Sequence, residues 1–279
     1  MRNAALQQRL RAARGFVFDI DGTLALADRD LNGYQPLPGA LQTLALLAQR
    51  GTPFVAFTNG STKTPQQLAQ ALGQAGFDLD PARTLTPLSV AVEVFLRKRH
   101  RRVLVLGGEG VWRPLADAGI DVVRAPDRAD DADAVLIGWH PAFGRGDLDA
   151  ACRAVWGGAA LYTVSAAATL ASRDGRTLGI SGALAAAVRS VTGKRAVVVG
   201  KPSPTALKVA CARLGAAAAD IAIVGDDPSL ENAMALRGGA LSVAVHTGLA
   251  GADDFAALPE GQRPHLSLPG MHALLALLR

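Results

Sequence analysis

At 279 residues, with 49% hydrophobic and 19% charged side chains, the chain can bury a sizeable core and is too apolar to be disordered. Its formal net charge of +5 favours anionic ligands without demanding nucleic acid, and two cysteines exclude a disulfide framework. The polar, basic first fifteen residues lack a following apolar run, so they do not read as a secretory signal, and a cytoplasmic setting is expected.

The first apolar run, residues 16–18, predicts a short buried strand that breaks into Asp19-Ile20-Asp21-Gly22-Thr23, where Gly22 permits a tight turn. Two carboxylates at a strand tip can bind a hard cation through oxygen, or divide nucleophilic and proton-transfer work; an ordinary Asp-rich turn is the structural alternative. After a polar loop, Pro38 opens a helix to Gln49. A second apolar run, 53–57, ends in Thr58-Asn59-Gly60-Ser61, and Thr64-Pro65 starts the next helix. Another helix begins at Pro87 and runs into the basic segment 97–102, which reads as a solvated connection to a strand at 103–106 and not as a nucleic-acid patch.

Alternation continues with a helix at 112–118, strands at 122–123 and 134–138, a helix at 147–156 and a strand at 161–164. Residues 154–172 carry no charge, but Gly157-Gly158 interrupts them, so a membrane span is not expected. A turn at 173–176 and a helix at 181–191 lead to a third run, 196–199, ending in Gly200-Lys201-Pro202-Ser203-Pro204, with Ser203 as a helix cap. The fourth run, 221–224, ends in Gly225-Asp226-Asp227; a helix holding Glu231, a strand at 241–245 and a helix at 269–278 close the chain. Strands alternating with helices predict an α/β fold with a mostly parallel sheet covered on both faces. In such a sheet the strand C-termini share one edge, which would bring Asp19, Asp21, Thr58, Asn59, Lys201, Asp226 and Asp227 together. Carboxylates, a hydroxyl, a lysine and helix N-termini are what holding a phosphoryl group requires.

The ordered set DIDGT, TNGS, GKPSP and GDD resembles the haloacid dehalogenase (HAD) superfamily of phosphatases, in the branch of the NagD-like and p-nitrophenyl phosphatases, subfamily IIA. The resemblance implies a Rossmann-like core at 1–86 and 193–279, and an inserted α/β cap of the C2 type at 87–192. It implies Asp19 as nucleophile and Mg²⁺ ligand, and Asp21 as general acid/base with its carbonyl on the metal. Thr58, Asn59, Gly60 and Lys201 would hold the phosphoryl group. Asp226 would complete the metal site, supported by Asp227 and Glu231. An acid at Asp21 argues for phosphatase and against dehalogenase chemistry. A phosphotransferase, or a phospho-accepting module on the same core, shares these residues.

In the cap, Trp139-His140 and the segment 162–168 around Ser165 stand where relatives carry specificity residues, but the acid and the amide found in relatives are missing here. Trp139, His140 and Ser165 are candidate substrate contacts, beside a reading in which Trp139 only packs and His140 sits in a surface loop. A small phosphorylated metabolite with a compact, less polar leaving group is the expected partner, with no nucleic acid or membrane; a homodimer is compatible with the sequence.

Overall fold

In the computed structural model, which describes residues 2–279, the chain builds two all-parallel sheets. The first runs in the order Leu266–Leu268, Leu241–Val245, Ile221–Gly225, Gly15–Phe18, Phe54–Phe57, Thr84–Leu85. Gly15–Phe18 lies between two neighbours, with Gly15 opposite Ile221 and Phe16 opposite Phe54, and all four of its residues are buried. Because both faces of the strand are covered, it carries no polar residue. Phe16 and Phe18 join one apolar cluster with Phe54, Leu44 and Leu274, while Val17 joins another with Val55 and Phe57.

The second sheet is ordered Val197–Val198, Ala160–Thr163, Ala134–Ile137, Arg102–Leu106, Asp121–Arg124. On one face, Val103, Val105 and Leu136 share a cluster with Val17, Val55 and Phe57 through the helices Pro87–Lys98 and Pro204–Leu214. On the other, Leu104 and Val135 pack on Ala150, Ala154 and Val188. One continuous apolar cluster therefore joins the two sheets and sets their relative position.

The expected core strand at 196–199 is corrected by this arrangement. Val197–Val198 pairs with Tyr162 and Thr163, at the edge of the second sheet. Val199 and Gly200 continue that pairing through N–H bonds to Thr163 and Val164, and only then does the chain cross to the first sheet. Periodicity reads a short apolar run as a strand but does not say which sheet receives it.

Helix starts follow their caps. Thr64 and Gln67 form a capping box with Pro65 in the first turn, and the Ser203 hydroxyl accepts from the Ala206 N–H ahead of Pro204. Among the elements without a sequence expectation are a helix at Arg2–Arg11, whose Leu10 is buried in the core, the sheet-edge strands Thr84–Leu85 and Leu266–Leu268, and the antiparallel hairpin Thr169–Ser172/Gly175–Leu178, whose tip is the expected turn. The basic segment 97–102 is absorbed at a helix end and a strand start: Arg97 pairs with Glu93 at 3.6 Å, and Arg102 with Asp121 at 2.5 Å. Among the described residues no helix is long and apolar enough to cross a membrane.

Candidate active site

Asp19 follows the central strand directly, and its N–H donates to the Val224 carbonyl at 2.9 Å, extending the sheet pairing by one residue. The chain then turns: the Ile20 carbonyl accepts from Leu24 at 3.0 Å and from Ala25 at 2.9 Å. Gly22 takes φ +99°, and a Cβ there would stand 2.6 Å from Asp226 Oδ2. Gly248 lies beside Gly22 against the same carboxylate oxygen, where a Cβ would also collide. Two glycines thus let backbone wrap Asp226, a fit that larger residues would block.

Lys201 is the hub of the site and is fully buried. Its Nζ donates to Asp19 Oδ1 at 2.5 Å and to the Phe57 carbonyl at 2.5 Å, and pairs with Glu231 Oε1 at 2.6 Å. Burial alone disfavours the ammonium, yet Asp19 and Glu231 outweigh it and hold the group above its ordinary range. Asn59 fixes where this lysine starts. Its Oδ1 accepts from the Lys201 N–H at 2.8 Å and its Nδ2 donates to the Lys201 carbonyl at 2.9 Å, as a neighbouring strand would. This use of the Asn59 side chain is not visible in the sequence, because its partner lies 142 residues away.

The Thr58 hydroxyl donates to Asp21 Oδ2 at 2.9 Å and accepts from the Gly60 N–H at 2.8 Å. Asp21 Oδ1 is buried with no partner. Burial raises the Asp21 carboxyl to about 6 against the pull of Thr58, and raises Glu231 to about 7 against Lys201. Asp19 is raised by burial, against Lys201, and Asp226 is driven well up by burial and by the nearby Asp19. Asp226 accepts a 3.2 Å bond from the Leu249 N–H but has no ion pair among the described residues. Asp227 instead caps the turn Pro228–Asn232, accepting from the Ser229 N–H and hydroxyl at 2.7 Å each, and its own N–H donates to Glu231 at 3.3 Å.

One ammonium therefore faces several buried carboxyl groups, an arrangement short of positive charge. A hard divalent cation suits that deficit, and the unpartnered Asp21 oxygen and the unpaired Asp226 are consistent with one. Among the described residues no three His, Cys, Asp or Glu side chains are grouped to hold a metal unaided.

These groups open into a cavity of about 70 Å³, space for roughly five water molecules. The insert supplies its opposite wall, including Trp139, Ser165 and the hairpin residues Thr169, Leu170 and Ala171. Trp139 is anchored by its N–H on Ser61 Oγ at 2.9 Å. Ser165 Oγ accepts from the Ala167 N–H at 3.1 Å and lies 3.4 Å from Asn59 Nδ2. His140 is not brought to the cavity: its Nε2 bonds Asp147 Oδ1 at 3.1 Å, and Asp147 also accepts from Gly144 N–H at 2.7 Å. The wall residues Leu31, Leu170 and Ile180 went unnoticed in the sequence, where only the Asp174-Gly175 turn hinted at a hairpin.

A parallel sheet with acids at adjacent strand ends, one buried lysine, and an inserted α/β module over that edge define a capped hydrolase of the phosphoryl-transfer type. Residues 16–121 match the family model for haloacid dehalogenase-like hydrolases, and residues 198–273 match a second model described as HAD-hydrolase-like. Chronophin of Rattus norvegicus is 32% identical, over 95% of this chain and 88% of its own. NagD from Escherichia coli K-12 has the same fold, with a TM-score of 0.82 at 25% identity over 94% of this chain and 98% of that one. A glycerol phosphate phosphatase from Mycobacterium tuberculosis, solved in complex with magnesium, aligns with a TM-score of 0.82 at 28% identity over 97% of this chain and 78% of its own. The chain belongs to the haloacid dehalogenase-like hydrolases, as a phosphatase of the NagD and p-nitrophenyl phosphatase branch, subfamily IIA.

Proposed function

We propose that this protein is a Mg²⁺-dependent phosphatase that hydrolyses a small phosphomonoester through an aspartyl-phosphate on Asp19. The observation that carries the reading is the buried contact between Lys201 Nζ and Asp19 Oδ1 at 2.5 Å, both of which line the cavity. With Oδ1 held there, Oδ2 is the oxygen left to attack phosphorus as the bond to the leaving oxygen breaks. Asp21, raised to about 6 by burial, is poised to give the leaving oxygen a proton near neutral pH. The Asp21 carboxylate so formed takes a proton from the water that next attacks phosphorus and frees Asp19. Thr58 orients Asp21 through its hydroxyl, and Lys201 offsets the charge gathered on Asp19 and the phosphoryl oxygens. When bound by Asp19, Asp226 and the Asp21 carbonyl, Mg²⁺ would supply further neutralisation of the phosphoryl charge.

In this reading residues 87–192, with the edge strand Val197–Val198, act as the cap that excludes water and meets the leaving group. The free cysteines Cys152 and Cys211 suit a cytoplasmic enzyme. Phosphate release from a panel of small phosphomonoesters tests the proposal. Release should require Mg²⁺, vanish with a chelator, and fall at least about 10⁴-fold in Asp19→Asn. Metal-independent turnover, or a fully active Asp19→Asn, would falsify it.

A further inference from the structure

The cavity wall is of two kinds. All its charged groups stand together: the carboxyl groups of Asp19, Asp21, Asp226, Asp227 and Glu231, with the ammonium of Lys201. The rest of the wall carries no charged side chain: Leu31, Leu170, Ala171, Ile180, Leu230 and Leu249 bring hydrocarbon, with the hydroxyls of Ser165, Thr169 and Ser181 between. No arginine, no histidine and no second lysine lines the space among the described residues. Lys63, whose charge is felt at Asp21, is turned elsewhere: its Nζ donates to the Leu31 carbonyl at 2.6 Å and to Asn32 Oδ1 at 2.8 Å.

Leu31 is held in place at some cost. It is buried with φ at +60°, a conformation that L residues rarely adopt. The Asp28 carboxylate secures the loop by accepting from the N–H groups of Asp30 and Asn32 at 2.9 Å each, and Lys63 holds the Leu31 carbonyl. A strained, clamped leucine facing the cavity argues that its apolar surface is selected for contact.

We infer that the leaving group is a compact, uncharged alcohol, and that esters carrying a second anionic group are rejected for want of a cation to receive it. The inference rests on the proposed phosphatase reading and names the substrate class of that same site. On the cavity wall five carboxyl groups stand against one ammonium, and no other cationic side chain lines the space among the described residues. An extra carboxylate on the substrate would lose its hydration, stand near the acidic groups, and find no arginine, histidine or second lysine on the wall to pair with.

Two esters of matched shape test this: isobutyl phosphate, and carboxymethyl phosphate, in which a carboxylate replaces the two methyls and their carbon. With Mg²⁺ present, kcat/KM should favour isobutyl phosphate by about 100-fold, the scale of one uncompensated unit charge a few ångströms from a like charge. Thr169→Arg places a guanidinium on the half-buried hairpin wall and should narrow the ratio at least about tenfold. General damage to the fold would lower both rates together and leave the ratio where it was. Equal turnover of the two esters overturns the inference, and so does a ratio unmoved by the added arginine in a variant that still turns over isobutyl phosphate at the wild-type rate. Absence of release from both esters overturns the phosphatase reading itself, and this inference with it.

Discussion

In one part of the cavity wall Lys201 Nζ meets three oxygens within 2.6 Å, whereas Leu31, Leu170 and Ile180 bring only hydrocarbon side chains to the wall. The charged part is cross-linked across the chain: Lys201 reaches Asp19, 182 residues away, and Asn59 reaches Lys201, 142 residues away. The apolar part is held by a short hairpin and a clamped loop. Groups that must meet developing charge cannot drift without loss, because electrostatic stabilisation depends on orientation already in place. A surface that excludes charge tolerates more variation, since burial of hydrocarbon is non-directional.

The contrast breaks hardest at Lys201. Lys201→Met keeps the length of the side chain but leaves Asp19 and Glu231 buried without their cation. Urea unfolding should show a loss of about 3–5 kcal/mol, with phosphate release down at least about 10³-fold. A variant as stable and as active as the wild type would remove the hub from this account. A step down in size, Asn59→Ala deletes both bonds to the Lys201 backbone. Turnover is expected to fall about 10–100-fold in kcat with KM little changed, because the lysine loses its position and not its charge. An effect confined to KM would point instead to direct contact between Asn59 and substrate.

The smallest effect sharpens the boundary of the site. His140→Ala removes one bond to Asp147, which keeps its bond from the Gly144 N–H. Stability should change by about 1 kcal/mol or less, and kcat/KM by no more than about twofold. A tenfold loss of kcat/KM would return His140 to the candidate substrate contacts.

Local chemistry determined much of this protein from sequence alone. Apolar runs ending in DIDGT, TNGS and GDD were enough for a parallel α/β fold and for the meeting of Asp19, Thr58 and Asp226, since strand ends of one sheet share an edge, whereas Lys201 of GKPSP reaches the same site from the edge strand of the second sheet. Thr64-Pro65 and Ser203-Pro204 marked helix starts because caps act over three residues. Tertiary structure alone decided that Val197–Val198 belongs to the second sheet, that the Asn59 amide grips the Lys201 backbone, and that Leu31 lines the cavity while His140 does not. Each of those depends on a partner far along the chain, and the type and spacing of neighbouring residues carry no record of which distant groups close packing will bring against them.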